Sequence, residues 1–343
     1  MSTLPASDAL ASARAHDAAG RHAEALQTLK DAARGADLAA TSELGHRLLV
    51  GDRAPKMVQQ ALALLAAAAR GGEGRALARM AALTVAGAHV PQDWAAGLRL
   101  LGSAAAAGDA DAQGQLRCLQ PDVGADVDWQ VMAERVPLDY WLAAAPVIAL
   151  EPRVGRVQQL CTAPVCQWLI GRAQGRLERA LVYDAFERRE IAHEMRTNTN
   201  ANFNFATLDV VQFLVQARMA KTCSQRMQQL EAPMILHYEV GQQIKPHFDF
   251  IDTAAPDYAQ QIREQGQRMI TFLLYLNDDY EGGETTFPNL GLVNRGLRGD
   301  GLYFINSRAD RSADRQMLHT GSPPTRGEKW LVTQFIRDIA LRP

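Results

Sequence analysis

Apolar positions recur with two different periods along this chain. In the first third the period is helical, and the pattern itself repeats. Ala25-Leu26 to Ala33-Arg34-Gly35 returns 36 residues on as Ala61-Leu62 to Ala69-Arg70-Gly71. It returns again as Gly97-Leu98 to Ala106-Ala107-Gly108, with Gly108 37 residues after Gly71. Between these runs fall Leu44-Gly45 with Gly51-Asp52, then Leu83 with Gly87 to Asp93. Self-similarity at this spacing predicts helix-turn-helix units that bury their faces against one another in a short stack. Alanine lets the helices approach closely, and glycine ends them.

The last third changes period. Met234, Leu236, Tyr238 and Val240 alternate with other residues, as on one face of a strand. Ile244 to Ile251, Arg268 to Asn277 and Lys329 to Ile336 also have strand composition, and Lys329, Leu331, Thr333 and Phe335 share a face. A supporting helix is expected over 166–186, from Cys166 to Phe186. The join, about Gln120 to Pro152, holds Trp129, Tyr140 and Trp141, expected to pack between domains. The chain is therefore divided into a helical-repeat solenoid over 1–120, a linker over 121–150 and a catalytic domain over 151–343.

Composition narrows the class. The 343 residues are 47% hydrophobic and 22% charged, ordinary for a folded protein of about two domains. Net charge is −2 without a dense basic run, which argues against nucleic acid as the main partner. The first residues, Met1 to Asp8, have no basic start or apolar core, and no apolar run is long enough to span a bilayer. Cys118, Cys161, Cys166 and Cys223 follow no metal or disulfide spacing. These features suggest a cytoplasmic, reducing setting and no membrane.

The chemistry concentrates in four residues. Lys245-Pro246-His247-Phe248-Asp249-Phe250 places His247 and Asp249 two apart, on one face if the segment is a strand. A third ligand must come from elsewhere, and His319 is the best candidate. Two histidines and a carboxylate leave positions open on a non-haem ferrous ion, although zinc accepts the same donors. His237-Tyr238-Glu239 has equivalent spacing and is a decoy. Lys329, ten residues after His319, is costly to bury among apolar neighbours unless an anion meets it. A dicarboxylate co-substrate, 2-oxoglutarate, would chelate the metal at one end and pair with Lys329 at the other. Dioxygen would take the last position, and succinate and carbon dioxide would leave.

Around these residues the stretch from Glu151 to Ile339 resembles the prolyl 4-hydroxylase branch of the Fe(II)/2-oxoglutarate dioxygenases. Arg196-Thr197-Asn198 looks like the family's lid segment. Arg268-Met269-Ile270-Thr271-Phe272-Leu273-Leu274-Tyr275-Leu276-Asn277 is similar to the strand after the metal motif. Glu281-Gly282-Gly283-Glu284-Thr285-Thr286-Phe287-Pro288 looks like its hairpin, and Gly299-Asp300-Gly301 like its next turn. The resemblance implies iron ligands His247, Asp249 and His319. It implies 2-oxoglutarate contacts from Lys329, Tyr238 and Thr285, a catalytic contact to substrate from Arg268, and ascorbate as reductant. It also implies substrate contacts from Arg196 and Asn198. Ile244 and Phe335 stand near the target residue, where those enzymes carry tyrosine and tryptophan.

The N-terminal repeats resemble the tetratricopeptide class, closest to its Sel-one-like variety. The expected fold is thus α+β multidomain: an all-α solenoid, then a double-stranded β-helix, or jelly roll, flanked by helices. The expected function is hydroxylation of a prolyl residue in a protein or peptide, with the solenoid either holding substrate or capping the catalytic domain. Ile244 and Phe335 keep another side chain or a small molecule open as targets. A catalytically silent partner-binding module is the reading of a different class. The sequence does not specify an oligomeric state.

Overall fold

The structure is a computed structural model that describes residues 8–120, 124, 127–184, 189–191, 193–204, 207–251, 256–308 and 310–341. The chain forms two compact units. One comprises Met1–Leu138 with Ala206–Phe213, the other Asp139–Phe205 with Leu214–Pro343. Trp129 belongs to the first, and Tyr140 and Trp141 to the second. No helix among the described residues is long and apolar enough to cross a membrane.

The first unit is helical, and its helices keep step with the repeat. His22–Arg34, Val58–Arg70 and Trp94–Ala106 start 36 residues apart, and so do Leu38–Val50, Gly74–Ala86 and Ala110–Leu119. The second interval is therefore 36, one less than the Gly71 to Gly108 spacing suggests, because the third helix ends on Ala107 rather than on glycine. The caps repeat as well. Asp37, Glu73 and Asp109 each accept a hydrogen bond from the backbone N–H three residues on, at Ala40, Ala76 and Ala112. Each satisfies a helix-start donor that has no partner within the helix. Gly97 has no room for a side chain, since a Cβ there would lie 2.4 Å from Val85 and 3.1 Å from the Ala81 carbonyl oxygen. Small residues set the closeness of the helices, and Leu29, Leu44, Leu48 and Leu65 fill what remains.

The second unit is a jelly roll built on two main antiparallel sheets, with two further two-stranded ribbons. The larger runs in the order Val147–Glu151, Val154–Val157, Gly301–Ile305, Arg268–Tyr275, Lys329–Arg337, Met234–Tyr238, Thr199–Asn202, Glu178–Arg179. The smaller is Leu292–Asn294, Thr285–Phe287, His319–Gly321, Ile244–His247. Leu236, Leu273, Leu302, Phe304 and Leu331 from the first meet Phe287 from the second in one core. The non-consecutive strand order brings residues distant in sequence to one mouth.

Two expectations are corrected here. The strand expected over 244–251 stops at His247, so Asp249 lies just past its end. The expected helix over 166–186 is Ala163–Ala173, and Glu178–Arg179 and Val182–Asp184 are strands. Gly175, in the left-handed region at φ 77° just past the cap, ends it early. Phe186 lies outside the described residues.

Candidate active site

His247 and His319 are direct partners across the smaller sheet, their ring centroids 4.2 Å apart. A register irregularity beside this pair brings Gly321 opposite Ile244. Asp249 joins the two histidines, its Oδ1 3.5 Å from His247 Nε2 and its Oδ2 3.4 Å from His319 Nε2. One donor atom from each of the three lies within 4.8 Å of the others. Each ring is oriented from behind: Nδ1 of His247 meets the Lys245 carbonyl at 2.9 Å, and Nδ1 of His319 meets that of Met317 at 3.0 Å. An Nδ1–H donor there leaves the Nε2 lone pair facing Asp249, the tautomer a metal requires.

Electrostatics agree with a cation site. Burial pushes the His319 imidazole down to about 4, against the opposing pull of Asp249, so the ring is neutral at pH 7. Burial alone would raise the Asp249 carboxyl, but His319, His247 and a hydrogen bond from Thr271 outweigh it. The group stays ionised, well below the usual carboxylate range. Two imidazoles and one carboxylate fit a divalent metal, with open positions left for other ligands.

A cavity of about 700 Å³ opens from these three residues. Tyr238, Thr285, Lys329 and Leu331 line it, as do Arg196, Ile244, Arg268 and Phe335. Lys329 is 1% exposed, and burial pushes its amine down to about 7, with Glu284 pulling the other way. Its Nζ donates to the Gly283 carbonyl at 2.7 Å. Gly283, at φ 70°, makes this possible, since a Cβ there would lie 3.3 Å from Lys329 Cδ and 3.0 Å from the Tyr280 ring. A buried amine with one neutral acceptor is a receptor for an anion. Burial pushes Tyr238 up to about 12, so its hydroxyl keeps its proton as a donor. Thr285 Oγ1 lies 2.9 Å from the Tyr275 hydroxyl, which also accepts from Asn294.

The remaining expected site residues divide. Ile244 and Phe335 are cavity walls. Arg268 reaches the cavity, but its guanidinium is held by both oxygens of Glu231, at 2.8 and 3.0 Å, and lies 3.7 Å over the Phe335 ring. Arg337 shares Glu231 Oε1. Asn198 does not line the cavity: it is fully buried, donates to the Thr199 carbonyl and accepts from Arg196 Nε at 3.1 Å. The substrate contact expected of it is thus corrected to the anchoring of Arg196. The decoy histidine faces away: His237 contacts Glu328 at 2.9 Å and packs on Trp330, on the opposite side of the strand from Tyr238.

Sequence reasoning missed Thr271, which donates to Asp249 Oδ2 at 2.7 Å, and Asn306, which donates to Thr271 Oγ1 at 2.9 Å. The available signal was a lone hydroxyl among Met269, Leu273 and Tyr275 on one strand face. Tyr258 and Gln261, on the helix Pro256–Gln265, also line the cavity and were unforeseen. In the polar loop 306–316, Asn306 is buried, and Arg308 and Arg311 meet Asp314 and Asp338. Its described residues line no part of the cavity. Residue 309 lies outside the described set.

A jelly roll carrying two histidines, a carboxylate and a buried lysine at one mouth defines a class of metal-dependent oxygenase folds. The sequence profile of the 2OG-Fe(II) oxygenase superfamily matches residues 233–337, spanning the three metal-site residues and Lys329. Probable prolyl 4-hydroxylase 8 of Arabidopsis thaliana is 30% identical over 216 residues, covering 57% of this chain and 71% of that protein. Probable prolyl 4-hydroxylase 7 of the same plant is 30% identical over 203 residues, 54% of this chain and 62% of that protein. Among solved structures, the viral collagen prolyl hydroxylase of Paramecium Bursaria Chlorella virus-1 aligns with a TM-score of 0.42 and 22% identity, over 55% of this chain and 97% of that one. This chain belongs to the 2OG-Fe(II) oxygenase superfamily and is homologous to plant prolyl 4-hydroxylases.

Proposed function

We propose that the second unit is an Fe(II)- and 2-oxoglutarate-dependent dioxygenase that hydroxylates a prolyl residue of a protein or peptide. The observation that carries the reading is the meeting of His247, Asp249 and His319 in one cavity with the buried amine of Lys329. His247, Asp249 and His319 would hold the ferrous ion. Lys329 would pair with the far carboxylate of 2-oxoglutarate, with Tyr238 and Thr285 as the neighbouring hydroxyl donors. When bound, the two groups supply the activation of dioxygen and the oxidative decarboxylation that yields succinate and carbon dioxide.

The chain's own residues do the positioning. Backbone carbonyls of Lys245 and Met317 hold both imidazoles in one tautomer. Leu236, Leu273 and Leu331 give the inner cavity apolar walls, which would strengthen the pairing of Lys329 with an anion. Ile244, Phe335, Arg196 and Arg268 form the wall on which a target residue would rest. Arg268, stacked on Phe335 and held by Glu231, offers a fixed edge to a substrate carbonyl. Ascorbate as reductant, a cytoplasmic setting and a substrate-holding role for the helical unit complete the proposal. No disulfide joins Cys118, Cys161, Cys166 or Cys223, as a reducing compartment favours.

The test is succinate formation by the purified full chain with Fe(II), 2-oxoglutarate, ascorbate and oxygen, beside His247→Ala. Turnover in the parent and a loss of at least 100-fold in the variant are expected, as for removal of a metal ligand. Proline-containing peptides should stimulate turnover and gain one oxygen on proline by mass spectrometry. Oxygen found on another residue would move the target without changing the chemistry, and absence of both metal binding and turnover would reject the enzyme.

A further inference from the structure

Behind Asp249 stands a directional hydrogen-bond chain. Thr271 Oγ1 lies 2.7 Å from Asp249 Oδ2, and Asn306 Nδ2 lies 2.9 Å from Thr271 Oγ1. Thr271 is 1% and Asn306 2% exposed. A threonine hydroxyl has a single proton, and an ionised carboxylate only accepts. The proton therefore goes to Asp249, and the hydroxyl oxygen must take its own donor from elsewhere. Asn306 supplies it, which fixes the amide's orientation and leaves Asn306 Oδ1 buried without a partner. Keeping an unsatisfied amide oxygen in a core costs stability, and such groups persist where their other end serves a purpose.

The backbone holds both members in place. Thr271 sits in the middle of Arg268–Tyr275, paired with Phe304 on one side and Phe335 on the other. Asn306 directly follows Gly301–Ile305, its N–H bonded to the Met269 carbonyl at 2.7 Å and its carbonyl to the Asp314 N–H at 2.9 Å. Asp249, by contrast, lies beyond the end of its own strand. The carboxylate is thus steered by a neighbouring strand rather than by the segment that carries it.

We infer that Thr271 and Asn306 are positioning residues for the metal site. Their hydrogen bond to Asp249 Oδ2 would favour Oδ1 as the oxygen that binds a metal. It would keep the carboxylate a one-oxygen ligand and so preserve an open coordination position. A carboxylate binding through both oxygens would fill a position that a chelating co-substrate and dioxygen need. The inference rests on the proposed metal site, which it extends to the residues that shape it.

The test uses Co(II) as the probe, so it does not depend on turnover. Titration of the full chain with Co(II), followed by visible absorption and calorimetry, is compared for the parent, Thr271→Val, Thr271→Ser and Asn306→Ala. Thr271→Val keeps the shape and removes the donor. It should weaken Co(II) binding 10- to 100-fold, the usual loss when a group orienting a metal ligand is removed, and alter the absorption bands. Thr271→Ser should restore both to within about threefold, and Asn306→Ala should fall between. Circular dichroism checks folding, and if the valine variant is unfolded, Asn306→Ala with Thr271→Ser decides. Unchanged affinity and bands in folded Thr271→Val would overturn the inference. Failure of the parent to bind Co(II) would instead reject the metal site itself.

Discussion

The two units of this chain use burial in opposite ways. In the helical unit the interior is alanine and leucine, repeated every 36 residues, and its few buried charges pair with one another. Arg47 is one: it meets Asp17 at 2.6 Å and Glu43 at 2.9 Å. In the jelly roll, Lys329 and His319 line the cavity, and Asn306 behind Asp249 keeps a buried amide oxygen without a partner. The first arrangement pairs its buried charges within the unit, with Arg47 Nη1 left without a hydrogen-bond partner. The second accepts destabilising groups where a ligand completes them, as functional sites commonly do.

Replacing Lys329 breaks this comparison most directly. Lys329→Met should weaken 2-oxoglutarate binding on the order of 100-fold, because a buried charge partner is lost. The ligand-free protein should become more stable, on the order of 2 kcal/mol, because a desolvated amine is removed. A thermal scan and a 2-oxoglutarate titration of the same sample check both, and a destabilised variant would sink the idea. The pH dependence follows with its sign. The folded amine is pushed from 10.5 down to about 7 by burial. Between these values the unfolded chain holds a proton that the folded one lacks, so ligand-free stability rises with pH across that window. At pH 8 an arriving carboxylate restores the charge, so binding should take up most of one proton. Calorimetry in buffers of different ionisation enthalpy reads that uptake.

In the helical unit the same kind of change should only cost. Leu65 is fully buried and packs beside Gly45, where an added Cβ would lie 2.9 Å from it. Leu65→Ala should destabilise that unit by about 2–4 kcal/mol through the cavity it leaves. Co(II) affinity at the jelly-roll site should stay within about twofold. A large change in metal affinity would mean that the units are energetically coupled.

The contrast also decides what was legible. The repeat could be read because each helix is specified by residues a few positions away, and Ala25, Ala61 and Gly97 mark equivalent positions. His247, Asp249, His319 and Lys329 were legible because metal and anion chemistry restricts residue types whatever the fold. Thr271 and Asn306 were not, because a buried hydroxyl or amide reads the same whether it serves a site or a turn. Only the neighbouring strands Gly301–Ile305 and Arg268–Tyr275 reveal their partners. Arg268 could be placed near the site but not paired, because its partner Glu231 lies 37 residues away in sequence. Asn198 misled because lid-like text does not say which side chains face inward.

The smallest predicted effects sharpen the comparison through additivity. Asp37, Glu73 and Asp109 cap equivalent helices through the same contact, at 3.0, 2.6 and 2.8 Å. Each alanine substitution should cost about 1 kcal/mol, the usual loss of an N-cap. The caps belong to successive repeats, and beyond the repulsion Asp109 feels from Glu73 the triple variant should cost their sum to within about 0.5 kcal/mol. Asp109 should deviate in one respect. Burial raises its carboxyl, against the pull of the Ala112 N–H, so its charge is carried at a cost. Asp109→Asn keeps the acceptor and removes that charge, and should be closer to neutral than Asp109→Ala by most of the cap energy. In the jelly roll, Thr271→Val and Asn306→Ala act through a single hydrogen-bond chain, so the double variant should weaken Co(II) binding little more than Thr271→Val alone. Additive caps beside a non-additive relay would show that repetition distributes energy along the helical unit while the site concentrates it. Strongly coupled caps, or an additive relay, would remove that distinction.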